Sequence, residues 1–324
     1  MGISIRNYLR PNVTNISFTI GIAILLWTKQ LAFATLPDET VHTLIDGLST
    51  PLSIWLSLII TLAIGYVFFM LTEKFNFIQN RTYLPFFLYI LFSSSQPDFW
   101  AFSNGKVAFL LLLLSLWEIL STYHKHEPTK LVFNAALLLS ISILIVPDYI
   151  ILLPFLFISL FIVNNLSLRI LHAIILGIIT PIILLGGIFY LQGTLEENVI
   201  HYIQAFQIEI PIWDTDKLTI IYQSVLFILS LIAIRGCLAN RFQSNINERK
   251  NIQVIIWLYF FISLIITLRM GKNTEALTAF SGIISFLFAL FFSINTSQKN
   301  TLFYLTLVVL LIAYNLTINY AGIS

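Results

Sequence analysis

Apolar runs follow one another along almost the whole chain, separated by short polar turns, and this succession constrains the fold more than any motif does. A helix needs about 20 mainly apolar residues to cross roughly 30 Å of hydrocarbon, and helices inside a bundle can be shorter. Eleven runs meet that description, covering approximately 15–35, 52–72, 83–95, 106–121, 131–146, 148–163, 169–191, 219–237, 252–268, 276–294 and 301–319. Composition removes the soluble alternative: with 58% apolar and 10% charged residues, 324 positions cannot supply a polar exterior, so most of the outer surface must face lipid. The expected fold is all-α, a polytopic integral membrane protein with a single transmembrane helical domain over 1–324 and an outer amphipathic loop at about 192–218. A nucleic-acid partner is excluded, since Lys and Arg occur one or two at a time between apolar segments. The single cysteine, Cys237, excludes an internal disulfide framework and any multi-thiolate metal site.

The basic residues fix an expected orientation, because a missed or invented span would scramble the alternation of every later loop. With the N-terminus inside, the inner side receives Arg6, Arg10, Lys74, Arg81, Lys125, Lys130, Arg169, Arg235, Arg241, Arg249, Lys250 and Lys299, 12 of the 17. Only Lys29, Lys106, Lys217, Arg269 and Lys272 fall outside. The alternation favours an inner N-terminus and an outer C-terminus. Acids segregate the other way, with 11 of 15 on the outer side, either because basic residues are removed there or because a metal-dependent or general-base site faces out. The first span also has a signal-peptide look, with Arg6 and Arg10 ahead of an apolar core and Ala32-Phe33-Ala34 as a small-residue site.

Two outer turns carry acids at unusual depth. Asp98 follows Ser93-Ser94-Ser95-Gln96-Pro97, and Asp148 follows Pro147. The runs Tyr83–Ser95 and Leu131–Val146 rise only about 20 and 24 Å, less than a bilayer core of about 30 Å, so both acids are expected below the outer lipid surface. Ionisable groups at that depth are functional candidates. The plainer role is a helix N-cap, which Asp148 in particular could fill at the start of the sixth span.

The first outer loop reads Pro37-Asp38-Glu39-Thr40-Val41-His42, with Asp46 four residues further on. Adjacent carboxylates could share a proton or hold a hard divalent cation, and 38, 42 and 46 recur at the spacing of one helix face. An ordinary helix start, N-cap then first-turn acid, is the competing account. From Leu195 to Gln207 the apolar Leu195, Val199, Tyr202, Ile203 and Phe206 share a helical face, a segment expected in the outer interface as a lid over a lipid entry or as plain packing on the bilayer. Gly186-Gly187 is expected to be a small-residue packing site inside the seventh span. His124, His126 and His172 lie near the inner side without ligand partners close in sequence.

The layout and the outer Pro37-Asp38-Glu39-Thr40 resemble the GT-C glycosyltransferases, multi-spanning enzymes that use polyprenyl-phosphate sugars, and the hairpin at Pro147-Asp148 with the run through Pro154 is similar to the middle of that fold. The resemblance covers about the first 190 residues. It implies that Asp38 or Glu39 is the catalytic base acting on an acceptor hydroxyl and that Asp98 or Asp148 is a metal or polar ligand; together with the loop spacing, the candidate substrate-binding residues are Asp98, Asp148 and His42, and the candidate ligands of a divalent cation are Asp38 and Asp46. As a whole the chain also resembles a multi-spanning inner-membrane family of Bacteroidetes type, for which no activity carries over. Three functional classes follow: a transferase acting on a lipid-linked sugar at the outer face of the bacterial inner membrane; a non-catalytic subunit of an envelope assembly or export complex with protein partners; and a transporter or flippase. Membrane lipid is a partner in all three.

Overall fold

The computed structural model of the chain describes residues 13–27, 49–77, 82–95, 99–163, 167–205, 217–239, 246–269, 274–294 and 298–321. Among these residues every regular element is a helix. In chain order they are α1 (Val13–Leu26), α2 (Thr50–Lys74), α3 (Leu84–Ser95), α4 (Asn104–Ser121), α5 (Thr129–Ile145), a 3₁₀ turn (Pro147–Leu152) that runs into α6 (Leu153–Val163), α7 (Leu168–Gln192), α8 (Leu195–Ala205), α9 (Lys217–Ala239), α10 (Ile246–Arg269), α11 (Thr274–Ile294) and α12 (Gln298–Ala321). Five stretches, Thr50–Lys74, Asn104–Ser121, Leu168–Gln192, Ile246–Leu268 and Glu275–Ser293, are long and apolar enough to cross a membrane.

Helix α11 is the axis of the bundle. Its residues from Ala276 to Ser293 are buried on every side, against α3, α4, α9, α10 and α12. A helix that is apolar all round has no face to give to solvent and belongs in the interior. Its Phe286 stacks on Phe68 of α2 with centroids 4.9 Å apart, and Phe68 in turn meets Tyr89 of α3 at 5.5 Å and Phe109 of α4 at 5.9 Å.

Small and hydroxylated residues let the neighbouring helices approach closely, as is usual where lipid removes the hydrophobic drive between helices. Ser115 of α4 donates to the Ala135 carbonyl of α5 at 2.8 Å, Ser142 of α5 to Ala108 of α4 at 2.9 Å, and Ser140 of α5 to Ile178 of α7 at 2.9 Å. A side chain at Gly177 of α7 would lie 2.7 Å from both the Ala136 Cβ and the Phe133 carbonyl of α5. Gly177 is therefore the packing glycine of α7. At Gly186 and Gly187, where the sequence suggests that role, an added Cβ meets nothing within 4 Å.

Beyond Pro181, α7 leaves the bundle, and Ile182, Ile183, Leu184, Ile188, Tyr190 and Leu191 are all exposed. Apolar surface of that extent is stable against lipid and not against water.

The two ends of the bundle differ in chemistry. At one, Lys74 lies 4.0 Å over the Trp117 ring, Asn251 donates to the Phe75 carbonyl at 3.0 Å and Lys250 sits 5.0 Å over Tyr123. The opposite end holds Lys106, Asp148 and Glu275.

Candidate functional site at the Lys106 end

Three seryl and threonyl side chains build one wall of this end. Ser53, Ser57 and Thr61 recur every four residues, so they form a polar stripe along one face of the otherwise apolar α2. The stripe is buried along its whole length and serves as a track for the chain from Phe99 to Lys106. The Phe102 amide donates to Ser53 Oγ at 3.0 Å; Ser57 Oγ donates toward the carbonyls of Ala101 at 3.0 Å and Phe99 at 3.2 Å.

Lys106, in the first turn of α4, closes the track. It is 1% exposed, and its ammonium donates to Ser57 Oγ, to Thr61 Oγ1 at 3.2 Å and to the Phe99 carbonyl, with the Trp27 ring centroid 5.2 Å away. None of its partners among the described residues is a carboxylate.

Ser94, near the end of α3, knots the same region together. Trp27 Nε1 donates to Ser94 Oγ at 3.0 Å, Ser94 Oγ passes its own proton to the Ile90 carbonyl at 2.6 Å, and the Ser94 carbonyl accepts from Trp100 Nε1 at 3.3 Å and from Asn315 Nδ2. One residue thus ties α1, the turn before α4 and α12 to α3.

Two carboxylates meet beside this knot. Gly105 packs on the first turn of α11, where a Cβ would lie 2.6 Å from the Glu275 Cα and carbonyl oxygen. Asp148 is close enough to Glu275 for the two charges to act on each other, and the Tyr149 hydroxyl lies in the field of both. Asp148 is 7% exposed, and Tyr149 is fully buried with no hydrogen-bond partner for its hydroxyl among the described residues. The hydroxyl of Ser103 and Oδ1 of Asn104 are likewise buried and without a partner among the described residues. Three such atoms at one helix end make an interior that is polar but incompletely satisfied by the chain itself, the condition in which water or a ligand is expected. The N-cap account of Asp148 needs correction: the residue at the cap of the 3₁₀ turn is Val146, Pro147 begins the turn, and Asp148 lies inside its first turn.

The amphipathic segment reaches the same corner. Tyr202 of α8 donates its hydroxyl to the Leu144 carbonyl at 3.3 Å, four residues before Asp148, while Glu196, Glu197, Val199 and Ile200 stay exposed. Burial holds the Tyr202 phenol above the ordinary tyrosine range, so it stays a donor.

Of the six residues proposed in sequence as catalytic, substrate-binding or metal-binding, Asp148 is the one the described structure contains, and it is joined there by Glu275, Tyr149 and Lys106. Asp38, Glu39, His42, Asp46 and Asp98 lie outside the described residues. Among the described residues no group of three His, Cys, Asp or Glu side chains is arranged to hold a metal ion. Lys106 and Glu275 were legible only as loop charges; the available signal was the Ser53, Ser57, Thr61 repeat, a polar stripe that an apolar span has no reason to carry unless something polar docks on it.

A family model described as a family of unknown function, DUF6427, matches residues 17–321. No curated protein and no solved structure matches the chain.

Proposed function

The chain belongs to the DUF6427 family, and from that premise we propose that it is a GT-C-like glycosyltransferase taking a lipid-linked sugar donor at the outer face of the bacterial inner membrane. The topology in this reading is eleven crossings with the N-terminus inside and the C-terminus outside, which makes the Lys106 end the outer one. The observation that carries the reading is the gathering of Lys106, Asp148, Glu275 and the unpartnered Tyr149 hydroxyl at one end of an otherwise apolar bundle. Charged groups are placed in such an interior for chemistry or binding far more readily than for stability. The exposed half of α7 and the docked α8 give a lipid-linked substrate an apolar flank beside that polar end.

In this mechanism Asp38 or Glu39 takes the proton of the acceptor hydroxyl. The acceptor oxygen bonds to the anomeric carbon as the bond from that carbon to the phosphate oxygen breaks, and the polyprenyl phosphate leaves with the electron pair. Asp148 and His42 orient the sugar, with Asp98. A divalent cation held by Asp38 and Asp46 would help neutralise the leaving phosphate.

Replacing Asp38 and Glu39 together by Asn and Gln tests the base. General acid–base catalysis contributes about 10² to 10⁴, so activity in a deletion strain should fall roughly 100-fold or more at normal abundance. Full rescue by the variant would eliminate the catalytic role. Cysteine labelling at 324 and 245 tests the topology: finding both positions on one side would overturn it.

One observation favours a second reading, a subunit of an envelope assembly or export complex. Gly186 and Gly187 open a flat, uncovered stretch on the departing half of α7, of the kind that helix partners use in membranes. Co-purification of a stoichiometric partner that is lost on replacing both glycines by Leu would favour it.

A further inference from the structure

Proton bookkeeping around Lys106 shows what its surroundings are built to hold. The Thr61 hydroxyl gives its proton to the Ser57 carbonyl at 2.8 Å, and the Ser57 hydroxyl shares its one proton between the carbonyls of Phe99 and Ala101. Neither hydroxyl has a proton left for the lysine nitrogen, so both present lone pairs to it. The Phe99 carbonyl can only accept. Three acceptors face three N–H donors, which is the complement of an ammonium and not of a neutral amine. The charge is solvated by neutral oxygens and cancelled by none of them.

Among the described residues no carboxylate bonds to this ammonium; a buried cation without a counter-charge is costly in a low-dielectric interior, and a satisfied hydrogen-bond shell does not remove the field that it projects. The shell is also arranged to release one donor. Ser57 Oγ also lies 3.2 Å from the Phe99 carbonyl, so its one proton, shared with the Ala101 carbonyl at 3.0 Å, keeps a donor at that oxygen when an N–H of Lys106 leaves it. The departing N–H is then free to point at an incoming anion beside the Trp27 ring, whose centroid lies 5.2 Å from the ammonium.

We propose that Lys106, presented by Ser57 and Thr61, is the anion-binding centre of this end of the bundle and takes a phosphoryl group, supplied either by a membrane lipid's phosphate or by soluble phosphate. The ligand class rests on the transferase reading above; the ammonium geometry does not. A phosphoryl oxygen suits the centre because it brings the negative charge that the Phe99 carbonyl lacks, so Coulombic attraction is added to a hydrogen bond of the same ammonium.

The test uses the full chain in nanodiscs of zwitterionic lipid, with three probes: a polyprenyl monophosphate, the matching uncharged polyprenol, and inorganic phosphate. The wild type should bind the polyprenyl phosphate, and Lys106→Met should weaken it by roughly ten- to a hundredfold, the loss expected for one charged hydrogen bond. Binding of inorganic phosphate with the same dependence on Lys106 would identify a soluble source, and its absence a lipid one; both support the centre. Unchanged affinity in Lys106→Met overturns it while leaving a lipid-phosphate substrate, and so the transferase reading, in place. A wild type that binds no phosphorylated probe overturns it as well, and the Asp38 and Glu39 complementation then decides the transferase reading separately. If Lys106→Met does not accumulate, wild-type discrimination between polyprenyl phosphate and polyprenol replaces it: roughly tenfold or more in favour of the phosphate is expected, and equal binding overturns the centre.

Discussion

The Lys106 ammonium donates to Thr61 Oγ1 at 3.2 Å while Thr61 hands its own proton to the Ser57 carbonyl at 2.8 Å, one turn back along the same helix. The two residues thus form a directed chain of donors that begins at a buried charge and ends on helix backbone. Its orientation is set by α2 alone, since threonine in a helix bonds readily to the carbonyl four residues earlier.

Removing a link of that chain should cost more than an ordinary surface change. Ser57→Ala deprives a buried ammonium of one acceptor and is expected to destabilise the protein by about 2 kcal/mol, because unsatisfied buried donors cost about 1–3 kcal/mol. Adding Lys106→Met to it should cost less than the sum of the two single changes, as residues in one network are not additive. Thermal unfolding of the four proteins in one detergent checks this; strict additivity would mean that the two side chains are energetically independent.

The glycines of α7 give a paired prediction. Gly177→Val places methyls where Ala136 and the Phe133 carbonyl already stand, 2.7 Å from the first added carbon, and should cost about 1–3 kcal/mol through overpacking. Gly186→Ala meets open space and should be neutral or stabilising by up to about 1 kcal/mol, the helix-propensity gain. A destabilised Gly186→Ala in the isolated chain would show that something packs on that face.

Much of this architecture was legible because lipid imposes long apolar helices, and runs such as 52–72 and 276–294 coincide with α2 and α11. What periodicity could not say was which helix lies at the centre. A helix buried all round and one bathed in lipid are equally apolar, so α11 and the departing half of α7 look alike in sequence and occupy opposite environments. The same ambiguity misplaced the packing glycine, at 186–187 instead of 177. Asp148 stood out because the hairpin legs around it are short. Lys106 did not, since its three partners come from α2 and from the turn at Phe99, and nothing in a linear spacing brings 57, 61 and 106 together.

Tyr202 offers a pH-dependent test of the α8 clamp. Its phenol is raised by burial in the folded chain, so the folded state favours the protonated form. The contribution is then complete below the ordinary tyrosine value of about 10 and is lost as pH rises past that value toward the higher folded one. Tyr202→Phe removes the bond to Leu144 and should loosen α8 by about 1 kcal/mol or less, given the exposure of the segment. Proteolysis within 195–205 should accelerate in the variant at neutral pH, and in the wild type only under strongly alkaline conditions. Equal cleavage of both proteins at neutral pH would show that the hydroxyl does not hold the helix.

The Asp148 and Glu275 pair separates stability from activity. Both carboxylates lie at the polar end, where burial disfavours the charged form of Glu275 and the nearby charge of Asp148 adds to that. Glu275→Gln keeps the size and one acceptor oxygen while removing the repulsion, so the variant should unfold at a higher temperature than the wild type. Sites held in an unfavourable state for function show this pattern, with stability gained as activity is lost. Complementation by Glu275→Gln and by Asp148→Asn should therefore fail or fall roughly 100-fold at undiminished abundance, as expected for loss of an acid–base or ligating group. If Glu275→Gln is less stable than the wild type, the carboxylate is bound to something that stabilises it, and the repulsion is not what governs the pair. If it is more stable and also fully active, the two acids meet at this end without serving the chemistry, and the search for the reacting groups moves to Asp38 and Glu39 alone.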